Sequence, residues 1–250
     1  KKILITGASR GIGKAIAEGF LSENANVWLV ARGQKELDRT ILELKDKFGE
    51  EKVFGSSIDC INESDLQELR FKIVQKWGKI DVVVANVGDG RSIQDAIPNS
   101  EHWSKIWKTN FDSGLNTARV FLQLLQESMG NLLFISSITG IEAIGAPVDY
   151  STAKTALIAF AQNLARKVAP EVRVNVIAPG NICFPGSSWE KKIEDDSLEV
   201  KKMLQQFSIA IEFLYSVIPG IGHPDIKLAV IYLRSLFGKG FLGNGNFKSI

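Results

Sequence analysis

Short runs of aliphatic and β-branched residues alternate along the chain with longer stretches in which apolar positions recur every three or four residues. The short runs fall at residues 3–6, 26–31, 52–58, 81–85, 131–136 and 172–178. They predict strands of a parallel sheet buried on both faces. Between them, residues 13–23, 34–48, 63–77, 101–126 and 151–168 carry apolar side chains at helical spacing and predict the crossover helices. The alternation defines an α/β fold, a doubly wound parallel sheet with helices on both faces. After Pro179 the pattern loosens. Residues 180–188 are rich in Gly, Pro and Ser, and a charged run follows at 190–202, so a loop and lid helix are expected over about 181–215. A last helix near 225–236 and an edge strand near 241–247 would close the sheet. A chain of 250 residues fits one such domain, 1–250, and shows no internal repeat.

Composition narrows the partners. Thirty basic residues against twenty-eight acidic ones leave a net charge of +2, which points to neither nucleic acid nor a membrane surface. The apolar stretch 209–218 is too short to span a bilayer and is interrupted by Glu212. Cys60 and Cys183 lack a metal-ligand spacing and read as reduced thiols, so a cytoplasmic protein is expected. The two histidines, His102 and His223, are too few for a metal centre, and no metal is expected. His102 reads as the start of a helix, Trp103 and Trp107 as one packed helix face, and the pair Asp195 and Asp196 as a solvated lid face.

The first strand runs directly into Thr6-Gly7-Ala8-Ser9-Arg10-Gly11-Ile12-Gly13, and a helix is predicted at once. Glycines there let the backbone approach a pyrophosphate, whose charge is met by the amides and dipole of the helix N-terminus. After the second strand, where a carboxylate would accept from a ribose 2′-hydroxyl, stands Arg32. Together with Arg10 it can pair with a 2′-phosphate, so NADP(H) is favoured over NAD(H).

With this turn, Asn86-Val87-Gly88 after the fourth strand, Ser137, and Tyr150-Ser151-Thr152-Ala153-Lys154, the chain resembles the short-chain dehydrogenase/reductase family. The resemblance implies a Rossmann-type fold with about seven parallel strands. It places Asn110, Ser137, Tyr150 and Lys154 at catalytic positions, Asp59 on the adenine side, Asn86 as a sheet brace, and Gly88, Pro179, Gly180 and Ile182 along the cofactor. Phe184 stands where many relatives have Thr. The glycine-rich terminal motif of the family is not visible, and residues 218–225 are shorter than usual and lack its Arg.

The chemistry implied is hydride exchange between a nicotinamide and a carbonyl carbon, which leaves an alkoxide in need of a proton. Tyr150 can supply or remove it. Lys154, one helical turn on, can favour the phenolate and hold ribose hydroxyls. Ser137 can donate to the substrate oxygen, and Asn110 can hold a water that links Lys154 to solvent. A small carbonyl or alcohol substrate is expected, between the loops 88–92, 137–146 and 181–190, with Ile144, Phe184 and Trp189 as apolar walls. A 3-oxoacyl-carrier-protein reductase is the specific alternative, although residues 126–130 and 170–171 offer no basic grip for an acidic carrier. A cofactor-binding regulator without turnover is the alternative from another class. The alanine-rich helix 151–168 is apolar on more than one stripe, which with the resemblance points to a homodimer or homotetramer across it and helix 101–126.

Overall fold

The computed structural model describes residues 1–182, 184, 187 and 190, and the backbone of 231–232. Seven strands, β1 (Lys2–Thr6), β2 (Asn26–Ala31), β3 (Val53–Ser57), β4 (Val82–Ala85), β5 (Asn131–Ile135), β6 (Arg173–Pro179) and β7 (Ile231–Tyr232), lie in the order β3-β2-β1-β4-β5-β6-β7. The first six pair in parallel, through registers such as Ile3 opposite Val27 and Leu132 opposite Val174. β7 differs from the expectation. It is two residues long and antiparallel to β6, where the resemblance implied a parallel strand and the helical spacing implied a helix at 225–236. Ile231 and Tyr232 are β-prone types, and they pair with the free edge of β6. The lid, Cys183, Trp189, Asp195, Asp196, His223 and the strand at 241–247 fall outside the described residues.

Alternation along β1 shows why the strands read as apolar throughout. Ile3 and Ile5 pack with Ala17 and Leu21 of α1 (Gly11–Ser22) and Leu37 and Leu44 of α2 (Gln34–Phe48). Leu4, pointing the other way, joins Leu69 and Ile73 of α3 (Glu63–Trp77), Phe121 and Leu125 of α5 (Ser113–Glu127) and Leu157 of α6 (Val148–Val168). Each of the six parallel strands thus contributes to two cores, one on each face of the sheet.

α1 begins two residues before its predicted start, and two other helices differ more from the predicted spans. The stretch read as one helix over 101–126 is α4 (Ser100–Trp107), a single π-turn at Lys108–Asp112, and α5. α6 begins three residues before the predicted start, after Pro147, with Asp149 in its first turn, where a negative charge complements the helix dipole. Among the described residues no helix is long and apolar enough to cross a membrane.

Candidate active site

Strand order reverses between β1 and β4, so the connections leaving their carboxyl ends diverge and open a crevice. A cavity of about 550 Å³ occupies it. Ten residues expected to bind the cofactor line it: Gly7, Ser9, Arg10, Gly11, Ile12, Arg32, Asp59, Asn86, Gly88 and Ile182. Gly13, Tyr150, Lys154, Pro179 and Gly180 are not among its lining residues.

The glycine turn has the geometry of an anion cradle. Gly7 and Gly11 have φ of +64° and +56°, which an L side chain rarely adopts. The N-terminus of α1 has no side-chain cap and no acidic residue in its first turn, so its amides remain free for a phosphate. Gly13 serves packing: a Cβ there would meet Gly7 O and would come within 2.7 Å of Asn86 Nδ2. Asn86 braces the two strands at the crevice, donating from Nδ2 to Thr6 O at 2.9 Å and to Gly7 O at 3.0 Å. Phe184 lies on the same turn, its ring 2.8 Å from where a Gly11 Cβ would stand.

At the adenine end, Arg32 faces Asp59 across 3.8 Å, with both side chains substantially exposed, so the pair is weak and the guanidinium remains available. Sequence reasoning missed Glu36. It lies in the first turn of α2, lines the cavity, and accepts from Ser9 Oγ at 3.3 Å. Cys60 also lines the cavity, but burial and then the Asp59 carboxylate push its thiol up to about 12, leaving it unreactive at neutral pH.

The opposite end gathers the residues expected to do the chemistry. The π-turn exposes Ile106 O, which accepts from Asn110 Nδ2 at 3.0 Å, and fixes the buried Asn110 so that it also bonds both backbone groups of Asp89. A Cβ on Gly88 would stand 2.8 Å from Lys154 Nζ and 3.1 Å from Asn110 Oδ1, so the absent side chain is what lets Asn110 and Lys154 converge there. Lys154 is 3% exposed and donates to Ile135 O at 3.0 Å. Burial alone pushes its ammonium down to about 8. Its Nζ lies 5.9 Å from the centre of the Tyr150 ring. Burial pushes the Tyr150 phenol above its ordinary range, a hydrogen bond with Ser137 pulls it back, and the Asp89 carboxylate adds to the rise. Desolvation therefore outweighs any lowering of the phenol by Lys154.

The expected loops come together only in part. Gly90 approaches Tyr150, with Cζ 3.5 Å from a would-be Cβ, while Ile141 and Ile144 are exposed. His102 does lie in the first turn of α4, its amide donating to the N-cap Asn99. Its ring, however, meets Ser92 and the buried Asp149, a cluster with no signal in the sequence because Ser92 and Asp149 are 57 residues apart.

The arrangement combines a glycine turn suited to a dinucleotide with a half-buried phenol and a buried ammonium and hydroxyl at the carboxyl edge of a parallel sheet. Residues 1–193 match the short chain dehydrogenase family. The oxidoreductase YvrD of Bacillus subtilis is 35% identical over 72% of this chain and 68% of its own length. The 3-oxoacyl-[acyl-carrier-protein] reductase of Escherichia coli is 31% identical over 78% of each. An alcohol dehydrogenase from Thermococcus sibiricus, solved with 5-hydroxy-NADP, is 29% identical and covers 73% of this chain and 77% of its own, with a TM-score of 0.68. The chain belongs to the short-chain dehydrogenase/reductase family of nicotinamide-dependent oxidoreductases acting on CH–OH groups.

Proposed function

We propose that this chain interconverts a small ketone and a secondary alcohol with NADP(H), using Tyr150 as the acid in reduction and the base in oxidation. The observation that carries the reading is the convergence of the Lys154 ammonium on a half-buried Tyr150, 5.9 Å from its ring centre, with Ser137 close enough to act on the phenol. The cofactor, when bound, supplies or accepts the hydride. The uncapped α1 terminus and its positive-φ glycines fit a pyrophosphate, Asp59 and Arg32 fit the adenosine end, and Gly88, Ile182 and Phe184 fit the remainder of the groove. Ser137 donates to the substrate oxygen as negative charge grows on it, and the Tyr150 hydroxyl delivers the proton. Lys154 retains two donor positions beyond Ile135 O for ribose hydroxyls. Asn110 fixes the loop through Asp89 and brings its amide oxygen beside Lys154.

Arg32 supports NADP(H), whereas Glu36 near Ser9 opposes a 2′-phosphate, and the guanidinium outweighs it by being free to form paired bonds. A free small carbonyl fits better than a carrier-bound acyl chain, because Glu127 and Glu171 are exposed where a basic grip would be needed. Assembly across α4, α5 and α6 is supported by Trp107, Phe111, Ile158, Phe160 and Leu164, which remain half-buried in one chain. Light scattering at micromolar concentration tests that point, a single-chain mass counting against it.

The deciding experiment is turnover of diacetyl, ethyl acetoacetate and phenanthrenequinone with NADPH and with NADH, by the parent and by Tyr150→Phe. The variant should lose about a hundredfold or more in kcat with cofactor binding nearly intact. A variant within about threefold of the parent sinks the assignment of Tyr150. A parent that binds NADPH but turns over no carbonyl favours a regulator.

A further inference from the structure

Asp149 is the one buried carboxylate beside the proposed catalytic tyrosine among the described residues, and the reaction scheme gives it no task. Its side chain is 0% exposed. Oδ1 accepts from the Tyr150 amide at 2.7 Å, and Ser92 Oγ lies 2.9 Å from Oδ1 and 2.7 Å from Oδ2. Ser92 Oγ is also 2.9 Å from His102 Nε2, which itself stands 3.5 Å from Asp149 Oδ2. A carboxylate only accepts, and a serine has a single hydroxyl proton. The order of donors is therefore set: His102 Nε2–H donates to Ser92, and Ser92 donates to Asp149. Because both His102 and Ser92 approach Asp149 through the same ring nitrogen and hydroxyl, this is not the relay of a hydrolase, in which the acid holds the far nitrogen of the imidazole.

The three residues come from three different pieces of chain. Ser92 lies midway along the loop between β4 and α4, His102 lies in α4, and Asp149 lies in the first turn of α6 directly before Tyr150. The loop runs along the site. Gly88 abuts Lys154, Asp89 is held through both backbone groups by Asn110, and Gly90 abuts the Tyr150 ring. Asn110 pins the near end of this loop. Further along, Ser92 pins it on Asp149.

We propose that Ser92, His102 and Asp149 form a positioning network that fixes the Tyr150 phenol against the loop 88–92, and with it the width of the substrate site. None of the three touches the reacting atoms. They act through Tyr150, so the inference rests on the catalytic reading given above. Asp149 carries the network into the catalytic helix through the Tyr150 amide, while His102, a quarter exposed, buttresses Ser92 from the side of α4.

The test uses the full chain with NADPH and diacetyl, with rates referred to sites counted by NADPH fluorescence titration. Ser92→Ala and His102→Leu should each lower kcat about tenfold or more, the scale on which small misplacement of a reacting group is felt. Cofactor Kd should stay within about twofold, since the network lies away from the cradle. Ser92→Thr, which keeps the hydroxyl, and His102→Gln, which keeps an N–H donor, should return kcat to within about threefold of the parent. A role in mere folding predicts something else: fewer cofactor-binding sites with unchanged turnover per site, and no split between conservative and disruptive variants. That result overturns the proposal, as does failure of Ser92→Ala and His102→Leu to fold while Ser92→Thr and His102→Gln show no recovery. Tyr150→Phe run in parallel separates the two levels. If it keeps its activity the catalytic reading fails, whereas if it is inactive and His102→Leu is not, the positioning network alone fails.

Discussion

Replacing Lys154 by Met should stabilise the cofactor-free chain while abolishing turnover. The side chains are of similar length, and Lys154 is 3% exposed, so the change removes a buried charge with little change in packing. Burial pushes the ammonium from an ordinary 10.5 to about 8, a penalty of about 3 kcal/mol when the group is charged. The lost bond from Nζ to Ile135 O, 3.0 Å in the parent, gives back about 1 kcal/mol. The remaining 2 kcal/mol, roughly, should raise the melting temperature by about 4–8 °C in a domain of this size. The sign with pH follows from proton binding. The unfolded chain keeps this proton up to 10.5, whereas the folded chain begins to release it near 8, so between those values the unfolded state binds more protons and the parent gains stability. Below pH 8 the penalty is complete, and the gap between variant and parent should be widest. It should close as pH rises toward 10.5. Thermal melts of both chains without cofactor, at several pH values across that window, measure the gap directly. A Met variant that melts at or below the parent at pH 7, or a gap that does not narrow on alkalinisation, would refute desolvation as the dominant influence on Lys154.

Gly13→Ala should abolish cofactor binding and lower the melting temperature by several degrees, because its Cβ would meet Gly7 O and crowd Asn86 Nδ2; a normal NADPH titration would contradict the packing argument. Arg32→Asp should weaken NADPH about tenfold more than NADH, and Glu36→Gln should strengthen NADPH with little effect on NADH, as read by fluorescence titration of both cofactors. Equal changes for the two cofactors would show that neither side chain meets the 2′-phosphate. Asp89→Asn removes a carboxylate that raises the Tyr150 phenol and frees Arg91, now bound to it at 2.7 Å. Because alcohol oxidation needs the phenolate, the rising limb of its pH profile should move to lower pH, and a limb that stays or moves upward would exclude Asp89 as an influence on Tyr150.

The layered fold was legible because burial on both faces leaves a strong, unbroken apolar signal. The strand predicted at 26–31 is observed over the same residues, and that at 131–136 ends one residue earlier. The glycine turn was legible for a local reason too, since Gly7 and Gly11 adopt backbone angles that other residues avoid. What escaped detection was set by contacts distant in sequence or by irregular backbone. The π-turn around Asn110 is hidden because Ile106, Trp107 and Phe111 keep helical apolar spacing across it. Glu36 reads as one more polar position at a helix start; only the crossing of α2 beside the β1 turn brings it to Ser9. His102 reads the same way, and its meeting with Ser92 and Asp149 depends on how three elements dock.

Three Asp or Lys side chains are buried among the described residues, and their surroundings separate structure from chemistry. Asp81 stands at the amino end of β4, away from the crevice. Although burial would raise it, the Lys2 amide at 2.6 Å and the Lys79 ammonium at 3.2 Å hold it below the usual carboxylate range. It is satisfied where it stands and can be explained by the fold. Lys154, at the carboxyl edge, has three donors and one hydrogen bond from Nζ among the described residues, to Ile135 O. Burying a cation is a local cost that packing alone does not offset. Asp149 lies five residues before it on the same helix, its oxygens occupied by the Tyr150 amide and Ser92. α6 therefore carries a carboxylate held by the Tyr150 amide and Ser92 and, five residues on, an ammonium held by Ile135 O, with Tyr150 between them in sequence. The first can hold geometry without a ligand. The second still has donors to offer beside Gly88, where a side chain would crowd Nζ, so on the proposed reading it is the charge that hydroxyl or other acceptor oxygens of a ligand would meet.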